Sequence, residues 1–378
     1  KNGPELSEKR LYPAKIKLAL TKSATMGDYK ETDLRVAPMN QVPITKHKPR
    51  AVAEVPKTTD DHGTHLNPGT PLNLDWLDAV RVNLSAVERR VQTLTKRRSV
   101  KKEWQVAWML RAIACMDLTT LSGDDTPGRV RRLCAKARQP LRQDLVDQLG
   151  IQSLNITTGA VCVYHEMVPT AVAALAGSNI PVAAVSTGFP AGLAPFKTRL
   201  EEIKASVAAG AMEIDIVITR AHVLTQNWQA LYDEVKAFRE ACGPAHMKAI
   251  LATGQLGNLT NVAKASMVCM MAGSDFIKTS TGTESLNATQ PVSLVMLRMI
   301  REYLERTQFP VGFKPAGGIR TAKEAVQYLV LMKEELGDRW LQPDMFRFGA
   351  SGLLNDLERQ IEYHATGRYA AGYRHPMA

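Results

Sequence analysis

The chain has 378 residues, of which 45% are hydrophobic and 22% are charged, which is typical of a globular protein with a full core and space for an appendage. No run approaches the ~18 uninterrupted apolar residues that a membrane span requires, and the start of the chain, KNGPELSEKR, lacks the apolar stretch of a secretory signal. We therefore expect neither a membrane protein nor an exported one. The net charge of +11 leaves an acidic partner open.

A basic, proline-rich, extended arm is predicted over residues 1–66. Its apolar residues are too sparse and irregular for a core-forming helix or strand, and prolines interrupt it repeatedly. Up to Lys57 it carries 12 lysines and arginines against 6 aspartates and glutamates, so it supplies more than half of the net charge. The arm is either a tail without fixed structure or a docking segment that orders on an acidic partner such as a cytoskeletal filament.

Helices that cap a barrel are predicted over residues 67–110, where Leu77, Val80 and Val87 recur at mixed helical spacings. Within this range, the cluster KRRSVKK at 96–102 has the charge to bind a polyanion. A solvated helix face is the commoner explanation for such a run, and no aromatic residues are interleaved with the basic ones. We therefore rank nucleic-acid binding last among the hypotheses.

From residue 111 to 365, short apolar runs alternate with longer amphipathic segments, as in parallel strands joined by crossover helices. The predicted strands are 112–117, 160–164, 182–186, 213–218, 248–251, 276–280, 311–316 and 345–349, with helices predicted at 197–208 and 290–304. Eight such units in roughly 250 residues favour a closed (β/α)8 TIM barrel, of class α/β, over an open doubly wound sheet. Residues 366–378 are left as a C-terminal tail.

The cysteines and histidines indicate a reducing compartment and no metal centre. The five cysteines form no C-x-x-C pair, and their odd number leaves at least one without an intrachain partner. The histidines lack the spacing of metal ligands. We therefore expect a cytoplasmic protein.

Three charged residues interrupt or end predicted apolar strands, namely Asp215 in EIDIVI, Lys278 in DFIK and Lys314 in GFKPAGG. The active face of such a barrel lies at the carboxyl ends of its strands. Burial disfavours the ammonium form of a lysine, and a second cation nearby acts in the same direction, which leaves a nucleophilic amine. A carboxylate can relay protons between them. The alternative is a structural salt bridge, which pairs Asp215 with one lysine and leaves the other lysine alone.

Two glycine-bearing loops after the last two strands indicate a phosphate site. PAGGIRT places Gly317 and Gly318 before a helix that carries Arg320, and FGASG places Gly349 and Ser351 before the final helix. Such loops expose backbone N–H groups and a positive helix end to an anion. The loops after strands seven and eight are also the usual phosphate site of these barrels.

Taken together, MDLTTLSGDDT, AVCVY, EIDIV, DFIKTSTG, GFKPAGGIRT and FRFGASGLL resemble the deoxyribose-phosphate aldolases, in the longer form found in animals. The resemblance covers residues 67–378, and DFIKTSTG and GFKPAGGIRT are its most specific motifs. It implies reversible cleavage of 2-deoxy-D-ribose 5-phosphate to D-glyceraldehyde 3-phosphate and acetaldehyde, in deoxyribonucleotide catabolism. It implies neither a metal nor an organic cofactor.

The resemblance also implies residue roles: Lys278 as the Schiff-base lysine, Lys314 as the lysine that lowers its pKa, and Asp215 as the proton relay. Further positions that match the family's substrate-binding residues are Asp117, Cys162, Lys248, Gly282, Gly317, Gly318, Arg320, Gly349 and Ser351. The C-terminal tail offers Tyr369 or Tyr373 as a proton shuttle. The chain departs from the family pattern at Thr283, where a lysine is usual, and at Gly352, where a hydroxyl residue is common.

Two hypotheses of different classes follow. The first is a class I aldolase that acts on a small-molecule sugar phosphate through Lys278. The second is an aldolase-derived structural or docking protein, whose N-terminal arm binds an acidic protein or filament. Three departures from the family pattern motivate the second: Thr283, His165 in place of the usual proline after AVCVY, and Gln255 in place of the acidic residue of the usual ATGEL. The presence of Asp215, Lys278 and Lys314 favours the first.

Overall fold

Eight parallel strands stand at the centre of the protein in a computed structural model that describes residues 66–101 and 103–375. Hydrogen bonds join them in the order β7-β6-β5-β4-β3-β2-β1-β8. The bridges Phe313 to Phe346 and Ala316 to Gly349 bring the β7 and β8 segments together, so the sheet closes into a barrel. Helices separate the strands, and the predicted (β/α)8 barrel is confirmed.

The strands are short, and all but the last lie almost wholly out of contact with solvent. They are β1 (Met116–Thr119), β2 (Ala160–Tyr164), β3 (Val182–Val185), β4 (Glu213–Val217), β5 (His246–Ile250), β6 (Phe276–Lys278), β7 (Gly312–Lys314) and β8 (Phe348–Ala350). Each predicted strand overlaps an observed one. The largest difference is at β1, because residues 112–114 end a helix instead of beginning the strand. A short buried apolar run fits either element, and its spacing alone does not separate them.

Thirteen α-helices are described around and before the barrel. They are α1 (Leu74–Ala79), α2 (Leu84–Arg97), α3 (Glu103–Ala114), α4 (Pro127–Arg138), α5 (Gln143–Leu149), α6 (Val168–Leu175), α7 (Phe196–Ala208), α8 (Arg220–Leu224), α9 (Trp228–Cys242), α10 (Leu259–Met271), α11 (Gln290–Thr307), α12 (Ala322–Leu336) and α13 (Gly352–Thr366). None of the helices in this part of the chain has both the length and the apolar character that a membrane span needs.

The ends of α11 show how local sequence sets the helix boundaries. The Thr289 hydroxyl accepts a hydrogen bond from the Val292 N–H, and a proline occupies the first turn, where its missing N–H costs nothing. The helix ends where Gln308 turns to a φ of 62°. The helices predicted at 197–208 and 290–304 are both present, as α7 and α11.

The three helices before β1 extend the outer helical layer. Helix α2 packs against α11, and α3 packs against α12 and α13. Ion pairs also join α2 to α12, since Arg90 Nε lies 3.0 Å from Glu335 Oε1, and Arg98 Nε, at the end of α2, lies 2.8 Å from Glu334 Oε1. The predicted arm falls almost entirely on residues 1–65, which lie outside the described residues.

A buried asparagine fastens the start of the described chain to the barrel. The Asn67 side chain donates to the carbonyls of Met270 and Ser274, both at 2.9 Å, and accepts from the Tyr303 hydroxyl at 3.0 Å. Its backbone N–H donates to Asp275 at 2.7 Å. Burial raises the pKa of Tyr303 to about 12, so this hydroxyl stays a donor. Asn67 therefore joins the N-terminal segment to the chain just before β6.

We expect Asn67→Ala to lower the free energy of unfolding by about 3 kcal/mol or more, because it leaves several buried polar groups without a partner. Urea denaturation followed by tryptophan fluorescence measures this loss. Asn83→Ala is the matched control, since its side chain accepts a single exposed N-cap bond, worth about 1 kcal/mol. Equal losses for the two variants would contradict a clamping role for Asn67.

Candidate active site

Seven ionisable side chains meet inside the barrel. They are Asp117 on β1, Glu213 and Asp215 on β4, Lys248 on β5, Lys278 on β6, Lys314 on β7, and Arg347 just before β8. All seven are buried. Because unpaired charges are costly in such an environment, the three acids can neutralise only three of the four basic groups, which favours the neutral form of one of them.

Asp215 is the centre of this cluster. Its Oδ2 accepts hydrogen bonds from Lys278 Nζ and from Lys314 Nζ, both at 2.8 Å. Its Oδ1 accepts from Lys248 Nζ at 3.1 Å. One carboxylate therefore holds three amines in a fixed arrangement, which includes the three residues predicted to be catalytic.

The remaining charges complete the cluster on the side away from Lys278. Lys314 Nζ donates to Asp117 at 2.5 Å, and Lys248 Nζ donates to Glu213 at 2.6 Å. Arg347 bridges the two acids, with contacts of 2.6 Å to Asp117 and 2.9 Å to Glu213. Every charged group in the cluster thus faces at least one group of opposite sign.

Strand register explains why these residues meet. Alternate residues of a strand face the same side, so Glu213 and Asp215 both point into the barrel. Asp215 lies opposite Lys248 in the β4 and β5 pairing, and Lys278 lies opposite Lys314 in the β6 and β7 pairing. The parallel sheet thereby converts distant sequence positions into neighbours.

The pKa of Lys278 is shifted in the opposite direction from the pKa values of Lys248 and Lys314. Burial lowers the pKa of Lys278 below its ordinary value of 10.5, and the charge of Lys314 acts in the same direction against the opposing effect of Asp215. Burial would also lower the pKa of Lys314, but Asp117 and Asp215 raise it above the ordinary range. Lys278 is therefore the lysine most ready to act as a neutral amine.

Asp215 remains ionised next to that amine. Burial alone would raise its pKa, but the charges of Lys248, Lys278 and Lys314 hold the pKa well below 3.8. An ionised carboxylate 2.8 Å from Lys278 Nζ can orient the amine and stabilise a cation that forms on it. The arrangement thus supports addition of Lys278 to a carbonyl group.

A cavity of about 620 Å³ opens beside Lys278 at the carboxyl ends of the strands. Seven of the predicted site residues line it, namely Lys278, Gly282, Gly317, Gly318, Arg320, Gly349 and Ser351. The other five, Asp117, Cys162, Asp215, Lys248 and Lys314, are fully buried next to it. The cavity therefore joins the amine to both glycine-bearing loops.

Two of these glycines are required by geometry. Gly317 has a φ of 80°, which side-chain-bearing residues rarely adopt, and a Cβ there would meet the Asn287 side chain at 2.7 Å. A Cβ on Gly349 would lie 2.8 Å from the Ala316 Cβ and 3.2 Å from Lys314 Cε. These positions let the loop backbones approach the cavity closely.

Cys162 belongs to a small apolar cluster with Ala183 and Val185, and burial raises the pKa of its thiol. The two tyrosines offered by the tail lie elsewhere. Tyr369 stacks on Tyr363 near the end of α13, with ring centroids 4.4 Å apart, and Tyr373 is 84% exposed. Neither tyrosine is among the residues that line the cavity.

Sequence reasoning missed Glu213 and Arg347. Each stands two positions before a predicted site residue, Asp215 and Gly349 respectively, and so faces the same side of the strand. The two-residue repeat of a strand was therefore the sequence signal that could have identified Glu213 and Arg347. Within residues 66–101 and 103–375, no group of three or more His, Cys, Asp or Glu side chains is placed to hold a metal ion.

Comparisons with known proteins agree with this geometry. The family model described as DeoC/LacD family aldolase matches residues 111–359. Deoxyribose-phosphate aldolase of Mus musculus is 62% identical over 312 residues, which cover 82% of this chain and 98% of that protein. The Homo sapiens protein of the same name is 60% identical over 314 residues, with 82% and 99% covered.

Solved structures support the fold. The tetrameric deoxyribose phosphate aldolase of Aeropyrum pernix is 20% identical with a TM-score of 0.50, and the match covers 74% of this chain and 99% of that one. A Toxoplasma gondii protein, provisionally described as a deoxyribose-phosphate aldolase, gives a TM-score of 0.60 at 20% identity, with 71% and 98% covered. With the family model and the mammalian relatives, these findings show that the chain belongs to the DeoC/LacD aldolase family.

Proposed function

We propose that the protein is a class I aldolase that reversibly cleaves 2-deoxy-D-ribose 5-phosphate to D-glyceraldehyde 3-phosphate and acetaldehyde. The observation that carries this proposal is a buried lysine, Lys278, with a lowered pKa, on the wall of a cavity and in contact with Asp215. The mammalian relatives named deoxyribose-phosphate aldolase support the choice of substrate.

In this mechanism the neutral amine of Lys278 attacks the C1 aldehyde of the opened sugar, and loss of water gives a protonated imine. The C3 hydroxyl then loses its proton, the C2–C3 bond breaks, and glyceraldehyde 3-phosphate departs. The electron pair of that bond remains on the substrate carbons as an enamine attached to Lys278. Protonation at C2 and hydrolysis release acetaldehyde and restore the amine.

The neighbouring charges have separate tasks. Asp215 stabilises the protonated imine and passes protons during its formation and hydrolysis. Lys314, which stays protonated, disfavours the ammonium form of Lys278 and keeps Asp215 ionised. Asp117 and Lys248 hold Lys314 and Asp215 in position through their hydrogen bonds.

We propose that the phosphate group binds at the loops after β7 and β8. The backbone N–H groups of Gly318, Ser351 and Gly352 donate to no other described residue, and all three residues line the cavity. Ser351 and Gly352 also lie at the positive end of α13. Arg320 supplies a cation at the same wall.

We also propose a cytoplasmic location, because all five cysteines are free thiols and buried. The proposed division of the chain is a helical cap over 67–110, a barrel over 111–365 and a tail over 366–378. The docking hypothesis depends on the arm, which is almost entirely outside the described residues, and the comparisons give it no support.

Lys278→Ala should abolish turnover of 2-deoxy-D-ribose 5-phosphate, because no other amine lines the cavity in the described chain. Reduction with borohydride in the presence of acetaldehyde should add mass to Lys278 in the wild-type protein and not in this variant, as judged by peptide mapping. Lys204→Ala, which removes an exposed lysine of α7, is the control and should keep both properties. Substantial activity in Lys278→Ala would contradict the assignment of Lys278 as the Schiff-base lysine.

The rate of imine formation should rise with pH and level off with a midpoint below 10.5, because only the neutral amine of Lys278 reacts and its pKa is lowered. In Lys314→Met, the cation that disfavours the ammonium form is gone, so the midpoint should move upward by about one pH unit. Single-turnover trapping across pH measures both midpoints. An unchanged or lower midpoint in Lys314→Met would show that Lys314 does not tune Lys278.

A further inference from the structure

The loop after β6 has an acid bound to its own backbone. The Glu284 carboxylate accepts hydrogen bonds from the Thr281 N–H, at 3.0 and 3.1 Å to its two oxygens, and from the Gly282 N–H at 3.1 Å. The N–H of Thr283 is also engaged, since it donates to the Thr281 hydroxyl at 3.2 Å. All three N–H groups therefore have an acceptor within the loop.

This loop contrasts with the two loops opposite it. Thr281, Gly282 and Thr283 line the same cavity as Gly317, Gly318, Ser351 and Gly352. Of the last four, Gly318, Ser351 and Gly352 keep free N–H groups among the described residues, whereas Thr281, Gly282 and Thr283 do not. An anion in the cavity therefore meets free N–H donors in the loops after β7 and β8. On the β6 side, the Glu284 carboxylate already binds the N–H groups of the loop.

The charge of that carboxylate is poorly neutralised. Glu284 is only 9% exposed, and its hydrogen-bond donors are neutral N–H groups. The negative charge of Glu284 acts on Arg220, whose pKa it raises against the larger, lowering effect of burial. No cation of the described chain lies within 4.0 Å of the Glu284 carboxylate. Among the described residues that line the cavity, Arg320 is the one permanent cation. Thr283 carries a hydroxyl, which bonds to the Thr281 hydroxyl at 2.8 Å.

We propose that Glu284 is a specificity-determining residue. It weakens binding of the substrate's phosphate and thereby reduces the preference for phosphorylated over unphosphorylated deoxysugars. It does so by placing a negative charge behind the β6 side of the cavity, where the charge repels a bound dianion in a poorly screened setting. The bonds from the Thr281 and Gly282 N–H groups hold the charge there. The inference rests on the proposed function, since it refines the substrate choice of the same cavity.

The test compares Glu284→Gln with Glu284→Asp and with Glu201→Gln. Glutamine keeps an acceptor for the loop and removes the charge, aspartate keeps the charge, and Glu201 is an exposed acid of α7 that serves as the matched control. The measured quantity is the ratio of kcat/KM for 2-deoxy-D-ribose 5-phosphate to that for 2-deoxy-D-ribose. We expect Glu284→Gln to raise this ratio roughly tenfold, or about 1.4 kcal/mol, and the other two variants to leave it near the wild-type value.

A binding measurement tests, independently of catalysis, whether Glu284 weakens phosphate binding. Calorimetric titration of each full-length variant with inorganic phosphate should give a Kd about tenfold lower for Glu284→Gln than for the wild type or Glu284→Asp. An unchanged phosphate Kd in Glu284→Gln, or a parallel loss of activity on both sugars, would overturn the role of Glu284. If the wild-type protein cleaves neither sugar, the proposed function fails, and the phosphate titration still tests Glu284.

Discussion

The barrel interior has to bury seven ionisable groups together, and the chemistry of the protein depends on how it does so. Lys248, Lys314 and Arg347 are matched by Asp117, Glu213 and Asp215, so the cluster is balanced when Lys278 is neutral. Burial is the main cause of the lowered pKa of Lys278, and a proton on Lys278 would also add one cation more than the three anions can match. A protonated imine at the same nitrogen restores the excess charge, which favours drawing electrons from the attached substrate.

The cost of burying these charges is offset because the sheet and the loops give each charged group a fixed partner. Asp215 meets three amines only because parallel register sets Lys248 beside it and sets Lys278 beside Lys314. Gly349 leaves space for the Lys314 side chain, whose Cε would lie 3.2 Å from any Cβ at that position. Rigid placement of this kind lets a buried carboxylate stabilise charge without reorganisation during the reaction.

Much of this was readable in the sequence, and the exceptions have physical causes. The eight strands were located from short apolar runs that alternate with longer amphipathic segments. The apolar run before Met116 is instead the end of α3, because a segment buried on all sides lacks the polar positions that distinguish a helix from a strand. Lys278, Lys314 and Asp215 stood out as charges in apolar strands. Glu213 and Arg347 did not, because Glu213 opens its strand and Arg347 precedes its strand, and the two face each other across the barrel only once it closes. The bond from Gly282 to Glu284 depends on loop geometry, which no local pattern encodes.

The asparagine that fastens the start of the described chain also determines where any preceding residues emerge. Asn67 binds Ser274 and Asp275, which stand immediately before β6, whereas the cavity lies at the opposite, carboxyl ends of the strands. Residues 1–65 are therefore joined to the barrel on the face away from Lys278. A protein or affinity tag fused directly to Leu66, in place of the residues before it, would start from the face away from the substrate entrance.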